Sequence, residues 1–298
     1  MRKKPATRWV AGLLLVGGCV AAAGWLWRHV PSPPPASHPT GDAWPLLTTE
    51  ELLERHTQGH WAWARWSEWP DAVVVQFPSL ESQGAALNRL AAWKEKGAAP
   101  RDRLLDDLAL ATLIHTAGDN AATFYGGHDY RLQDVQAFFD HARKQHVTLN
   151  PEEHRIQETL HAQGWLPVGS SPGVRALISF SDLQGDNPGT QHDETVDALR
   201  RESVLRHELS HARFFLDAQY RERCHTFWHQ ALTPTERQTI QSRLSEAGYD
   251  VGQPELIVNE AQALLFHTRD PRAFVPHSFG LSPERLKALR EQFARQGP

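Results

Sequence analysis

Two histidines placed one helical turn apart constrain the fold of this chain more than any other feature. Residues 204–213 read VLRHELSHAR and belong to a helical pattern that runs from Glu194 to about Leu216. Positions i and i+4 share one face of a helix, so His207 and His211 can bind a single metal ion. Glu208 adjoins the first histidine, and a carboxylate in that position can take a proton from water that zinc has acidified. The HExxH pattern therefore predicts a zinc site with a general base.

A catalytic zinc site needs a third protein ligand, and two carboxylates are candidates. Asp217 follows His211 by six residues, which places it about 240° round a continuing helix and facing away. Glu260 lies in a second predicted helix, residues 255–269, with apolar residues on both sides at helical spacing. A carboxylate in an apolar stripe is costly unless a cation receives it, so Glu260 is the preferred ligand. Glu255 is interpreted as a first-turn partner of the helix dipole.

The HExxH motif and the Asn259–Glu260 pair resemble those of the zincin metallopeptidases of the gluzincin type, over roughly residues 170–270. The metzincin extension is absent, because Phe214 replaces its glycine and Asp217 its last histidine. Arg213 also departs from the family, which has a hydrophobic residue there. The resemblance implies a helix-dominated α+β zincin-like fold with a small sheet, and hydrolysis of an amide at zinc. It also implies that the strand 174–181 is the edge strand that aligns the substrate.

The resemblance assigns His207, His211 and Glu260 as zinc ligands and Glu208 as the general base. It leaves open which side chain steadies the oxyanion. The candidates are Tyr249, Tyr220, His225, His229 and His128. His225 and His229 could instead form a second metal site, although a polar helix face is the preferred interpretation. Cys224 is interpreted as a buried thiol.

A membrane-spanning segment is predicted at the N-terminus. Residues 9–27 contain no charge, and at ~1.5 Å per residue they span about 28 Å, close to the hydrocarbon core of a bilayer. Basic residues precede the segment, which favours a cytoplasmic N-terminus and a body on the periplasmic or extracytoplasmic side of the inner membrane. Two alternatives remain: a lipoprotein acylated at Cys19, and a cleaved secretory signal. All three place the body outside the cytoplasm.

The chain divides by composition into four parts. Residues 1–30 form the anchor or signal segment, and the proline-rich residues 31–45 form a linker. Residues 46–165 are predicted to be a mainly helical N-terminal lobe that resembles no family, and residues 166–298 the zincin-like catalytic lobe. Without the five basic residues of the first 30 positions, 26 basic side chains stand against 35 acidic ones. A body this acidic excludes phosphate-neutralising binding of nucleic acid.

Periodicity assigns further elements to the body. Helices are predicted over 48–68, 80–97, 101–115, 131–146 and 151–163. A buried strand is predicted over 72–77 and a glycine-containing turn over 124–130. A polar loop follows the strand 174–181.

Together these features predict a membrane-tethered, extracytoplasmic zinc peptidase that acts on a peptide or protein of the cell envelope. Two alternatives stay open. One is an endopeptidase or amidase directed at peptidoglycan, and the other is a non-catalytic protein that binds zinc in the envelope.

Overall fold

The computed structural model describes residues 44–168 and 173–295, and the predicted anchor at residues 9–27 lies outside them. Five strands form one sheet: β1 (Leu46–Leu47), β2 (Ala62–Trp66), β3 (Trp69–Phe77), β4 (His128–Arg131) and β5 (Ala176–Ser181). Ten α-helices accompany it in the described residues: α1 (Thr49–Glu54), α2 (Leu80–Glu95), α3 (Asp107–Thr116), α4 (Leu132–Gln145), α5 (Pro151–Ala162), α6 (Ala198–Leu216), α7 (Ala218–Gln230), α8 (Pro234–Glu246), α9 (Pro254–Gln262) and α10 (Pro283–Arg295). The molecule is helix-rich α+β, as predicted.

The sheet has the order β1-β2-β3-β5-β4. Strands β2 and β3 form an antiparallel hairpin, β3 and β5 run parallel, and β4 is antiparallel to β5. Strand β5 therefore lies inside the sheet, and β4 forms its edge. The prediction that the strand at 174–181 is the substrate-aligning edge strand is wrong. All six residues of β5 are buried, because helices cover both faces of this strand.

The helix predicted over 48–68 is also wrong beyond Glu54, where α1 ends. Residues 62–66 instead form β2, in which successive side chains face opposite sides of the sheet. Trp63 packs on one side of the sheet, whereas Ala64 and Trp66 pack on the other. The helix was predicted there because the spacing of the tryptophans also fits a helix.

Most of the other predicted elements are confirmed, with shifted ends. Helices α2, α4 and α5 match their predicted ranges, and β3 contains the strand predicted at 72–77. Helix α5 begins with a capping box, in which Asn150 and Glu153 each accept the other's backbone N–H. Helix α3 is shorter than predicted, because Asp106 caps it and residues 101–106 are not helical. The turn predicted over 124–130 is wrong from His128 onwards, because residues 128–131 form β4.

Two apolar cores lie on opposite faces of the sheet. Helices α2, α4 and α5 pack against Val73, Val75 and Leu177 on one face. Helices α6 to α10 pack on the other face, against residues that include Val74 and Ile178. Strand β5 comes from the predicted C-terminal lobe but lies between β3 and β4, so one sheet crosses the predicted boundary at residues 165 and 166. Within the described residues, no helix is both long and apolar enough to cross a bilayer.

Candidate metal centre

Helix α6 carries both histidines into the interior of the molecule. Asp197 caps its first turn by accepting the backbone N–H of Arg200. The helix passes beneath the sheet, where it contacts β5, β4 and β3. His207 and His211 lie on one face with ring centroids 4.7 Å apart, as their spacing predicts. The motif is therefore held on a rigid, buried element.

Helix α9 brings Glu260 to the same point. The His207 Nε2 atom lies 3.8 Å from Glu260 Oε2, and His211 Nε2 lies 3.7 Å from Glu260 Oε1. With zinc–ligand bonds of ~2.0–2.1 Å, tetrahedral donor atoms lie about 3.4 Å apart. Each histidine thus needs to approach Glu260 by only a few tenths of an ångström to fit zinc. The structure brings together all three residues that the sequence singled out.

A π-helical turn at Ala263–His267 follows α9 and places Thr268 against the site. The Thr268 hydroxyl lies 2.7 Å from His207 Nδ1 and donates to the carbonyl of Ala263. Because that hydroxyl proton is committed to Ala263, the hydroxyl accepts from His207 Nδ1–H. His207 is therefore in the tautomer that carries its proton on Nδ1. The Nε2 lone pair faces Glu260 and is available to bind a metal.

Hydrogen bonds between side chains hold α9 against α6 beside the site. Gln262 donates to the Ser210 hydroxyl at 3.1 Å and accepts from the Tyr220 hydroxyl at 2.7 Å. Gln262 also donates to Asn259 Oδ1 at 3.3 Å, next to Glu260 in the chain. Such outer contacts fix the orientation of ligand side chains. Tyr220 is thus a supporting residue rather than an oxyanion donor.

Burial sets the charge state of the three donors. It lowers the pKa of His207 well below its usual range and that of His211 to about 4, so both imidazoles are neutral at pH 7. Burial, together with the charge of Glu95, raises the pKa of Glu260 to about 8. An apolar site that disfavours a bare carboxylate favours one paired with a cation. Two neutral imidazoles and a carboxylate form a donor set that zinc prefers.

Glu208 packs against a glycine that the sequence analysis did not single out. A Cβ added at Gly127 would lie 2.5 Å from Glu208 Oε1, so only glycine allows this approach. Glu208 exposes 6% of its surface, and its Oε2 atom has no hydrogen-bond partner among the described residues. Burial, then the charges of Glu260 and Glu95, raise the pKa of Glu208 well above its usual range. A carboxyl in this state is suited to hold and return a proton.

Asp129, on the edge strand, is a second residue that the sequence analysis missed. Its Oδ1 atom lies 3.7 Å from His211 Nε2, on the side of β4 that faces α6. Asp129, Glu208 and His211 bring ligand-type atoms within 4.8 Å of one another. The local signal is the glycine pair Gly126–Gly127, which was interpreted as a turn but leads directly into β4.

The cleft beside the metal centre contains one of the predicted oxyanion candidates. Tyr249 lines it together with Lys96, Glu208 and Glu260. The Lys96 ammonium lies 5.2 Å from the Tyr249 ring centre and donates to the carbonyl of Ala247. Tyr249 and the buried Lys96 ammonium therefore lie on the same side of the site as Glu260.

The other predicted residues lie away from the cleft. His128 is buried in β4 with its Nδ1 atom 3.1 Å from the Ser179 hydroxyl. On α7, His225 packs beside Phe214 and His229 is exposed. Within residues 44–168 and 173–295, no third ligand-type group joins His225 and His229. Cys224 is a free, buried thiol, as predicted.

The two rejected carboxylates have structural partners. Asp217 caps α7 by accepting the backbone N–H groups of Gln219 and Tyr220, and it lies 3.5 Å from Arg213. Glu255 occupies the first turn of α9, as interpreted from the sequence, and pairs with Arg131. Neither belongs to the metal cluster.

Comparisons with protein-family models, with curated proteins and with solved structures find no match to this chain. The grounds for assigning a function are therefore the motif and the geometry of the site.

Proposed function

We propose that this chain is a zinc-dependent peptidase of the zincin type, tethered to the membrane with its body outside the cytoplasm. The observation that carries the proposal is that His207 Nε2 lies 3.8 Å from one oxygen of Glu260 and His211 Nε2 lies 3.7 Å from the other, with ligand atoms of all three residues within 4.8 Å of one another. These residues would hold the ion. Bound zinc would supply Lewis acidity, which polarises a carbonyl and acidifies water. The apolar run at residues 9–27 supports the membrane tether.

The residues around the ion divide the remaining work. Glu208 accepts a proton from the attacking water at its free Oε2 atom and returns it to the leaving nitrogen. Gly127 allows Glu208 to stay close to the edge strand. Thr268 orients His207, and Tyr249 lines the cleft beside Glu260. The edge of β4, which has β5 as its neighbour in the described sheet, offers backbone groups to an extended peptide.

Metal analysis of the full chain in detergent tests the site. We expect one zinc per chain in the wild type, and a strong loss of zinc in Glu260→Gln. Glu255→Gln is the matched control, because Glu255 lies on the same helix but pairs with Arg131 at the surface. Absence of zinc from the wild type, or equal zinc in both variants, would contradict the assigned ligands.

Activity of Glu208→Gln separates a peptidase from a non-catalytic zinc-binding protein. The variant keeps the shape of the side chain but loses its basic oxygen, so zinc should remain while hydrolysis of a peptide library falls at least ~10²-fold. If the wild type and the variant both bind zinc and behave alike on every peptide, the chain binds zinc without catalysing hydrolysis.

A further inference from the structure

The carboxylate of Asp129, like that of the proposed general base Glu208, lies close to the His211 side chain. Asp129 Oδ1 lies 3.7 Å from His211 Nε2, and a Glu208 oxygen lies within 4.8 Å of both. Hydrolysis needs one base, which Glu208 supplies. Asp129 exposes 12% of its side chain and reaches the site from the edge strand, where a substrate would bind. Its position therefore calls for a different role.

Carboxyl groups outnumber basic groups around Asp129. Its neighbours include the carboxyl groups of Glu208, Glu95 and Glu260, and the nearby cation Arg131 is paired with Glu255. The buried cation Lys96 is surrounded by three aromatic rings and bonds to a carbonyl. Because both nearby basic groups already have partners, Asp129 can pair with a cationic group on the ligand.

Glu208 also has a buried oxygen atom without a hydrogen-bond partner among the described residues. Glu208 exposes 6% of its surface, and within the described part of the chain its Oε2 atom accepts no hydrogen bond. A buried polar atom without a partner is expensive, so native sites of this kind are completed by a ligand or by water. The carboxyl groups of Glu208 and Asp129 bring oxygen atoms within 4.8 Å of each other, and a polar, positively charged ligand group could contact both.

We propose that Asp129 binds the α-ammonium group of a peptide whose first amide bond is the scissile bond, which makes the chain an aminopeptidase. This inference rests on the proposed zinc-peptidase function. The reaction adds water across the first amide: a C–O bond forms, the C–N bond breaks, and both water protons end on the leaving nitrogen.

The short reach of Asp129 selects the α-ammonium over a lysine side chain. From standard backbone dimensions, the α-nitrogen lies about 2.5 Å from the carbonyl carbon of its own residue. A group 3.7 Å from His211 Nε2 can therefore contact the α-nitrogen while the adjoining carbonyl is at the metal centre. The ammonium of a lysine side chain lies several bonds further from that carbonyl.

Three peptides that differ only at the N-terminal residue or its blocking group test the assignment on the zinc-loaded full chain. The first has a free N-terminus, the second is N-acetylated, and the third is N-acetylated with lysine as its first residue. A charge-assisted hydrogen bond corresponds to about 10- to 100-fold in binding. We expect the free peptide to exceed both acetylated peptides in kcat/KM by at least that factor. Equal rates for the free and acetylated peptides would overturn the proposal. If the lysine peptide recovers the rate, Asp129 binds a lysine side chain of the substrate and the aminopeptidase proposal is overturned.

Binding to an inactive chain provides a readout that does not depend on turnover. Calorimetry with Glu208→Gln should show the free peptide binding about 10- to 100-fold more tightly than the acetylated one. Adding Asp129→Asn should remove that difference while the zinc content stays unchanged. Asp134→Asn is the matched control, because Asp134 follows on α4 and pairs with Lys94.

These measurements separate the two proposals. If the chain binds zinc and cleaves peptides but Asp129→Asn still prefers a free N-terminus, the aminopeptidase assignment fails and the peptidase proposal stands. If the wild type binds no zinc and cleaves nothing, both fail. The comparison of peptides uses only the wild type, so it is valid even if a variant fails to fold.

Discussion

Glycine at position 127 decides how close the edge strand comes to the proposed general base. A Cβ there would lie 2.5–2.7 Å from three atoms of Glu208, nearer than real Cβ contacts occur. The Glu208 side chain or the strand backbone would have to move. A shift of about 1 Å in a reacting group can reduce the rate ~10²-fold.

Gly127→Ala should therefore impair hydrolysis without loss of metal, because Glu208 is not one of the proposed ligands. We expect kcat/KM to fall about 10²-fold, with unchanged zinc content measured by atomic absorption. Gly185→Ala is the control, since a Cβ at Gly185 meets nothing within 4 Å. A fully active Gly127→Ala chain would show that the close approach has no catalytic consequence.

At the scale of elements, a loop that follows the π-helical turn fixes the start of α6. Arg272 bonds to both oxygens of Asp197, the residue that caps α6, and also to the buried Asp270. The Arg272 hydrogen bonds are the main reason that the pKa of Asp197 falls to about 2. These contacts tie the first turn of the motif helix to the segment that supplies Thr268.

The Asp197 pKa predicts how stability depends on pH. A carboxylate with a lowered folded-state pKa stabilises the fold above its unfolded pKa of ~3.9, and this contribution is lost as pH falls towards 2. Asp197→Asn keeps a capping oxygen but removes the charge. The pair is partly exposed, so we expect about 0.5–1 kcal/mol of destabilisation at pH 6. In urea unfolding, this difference should shrink between pH 4 and pH 2. A difference that stays constant with pH would contradict the ion-pair explanation.

At the scale of the whole molecule, one sheet joins the two parts that the composition suggested. Strand β5, at residues 176–181, pairs with β3 and β4 from the first 165 residues. The metal centre depends on both parts, because α6 and α9 supply the proposed ligands whereas Gly127 and Asp129 come from the segment leading into β4 and from β4 itself. Residues 46–165 therefore contribute directly to the site, in addition to helices that cover the sheet.

The location of the whole chain is predicted by its first 30 residues. A reporter fused after Pro298 should be active only outside the cytoplasm, since the positive charges precede the apolar segment. Cys19→Ala should remain in the membrane fraction, because an apolar span of 19 residues does not need a lipid anchor. Release of Cys19→Ala into the soluble fraction would establish the lipoprotein alternative.

Local patterns in the sequence were sufficient to propose the three residues that the structure brings together. The spacing of His207 and His211 is a property of one helix, and the apolar neighbours of Glu260 mark a carboxylate that needs a cation. Helix caps such as Asn150 are equally local, so the bounds of α5 could be predicted closely. These inferences depend on periodicity and on the cost of burying charge, which a sequence carries directly.

Tertiary structure decided what surrounds the ligands. Strand order depends on long-range pairing, so nothing local indicates that β5 is interior and β4 is the edge. The tryptophan spacing in residues 61–66 fits a helix as well as a strand until the sheet forms around it. Gly127 and Asp129 acquire their significance only because β4 folds beside α6, some 80 residues further along the chain. The sequence by itself determined which donors could bind zinc, and only the packing of distant segments determined which groups face the open side of that site.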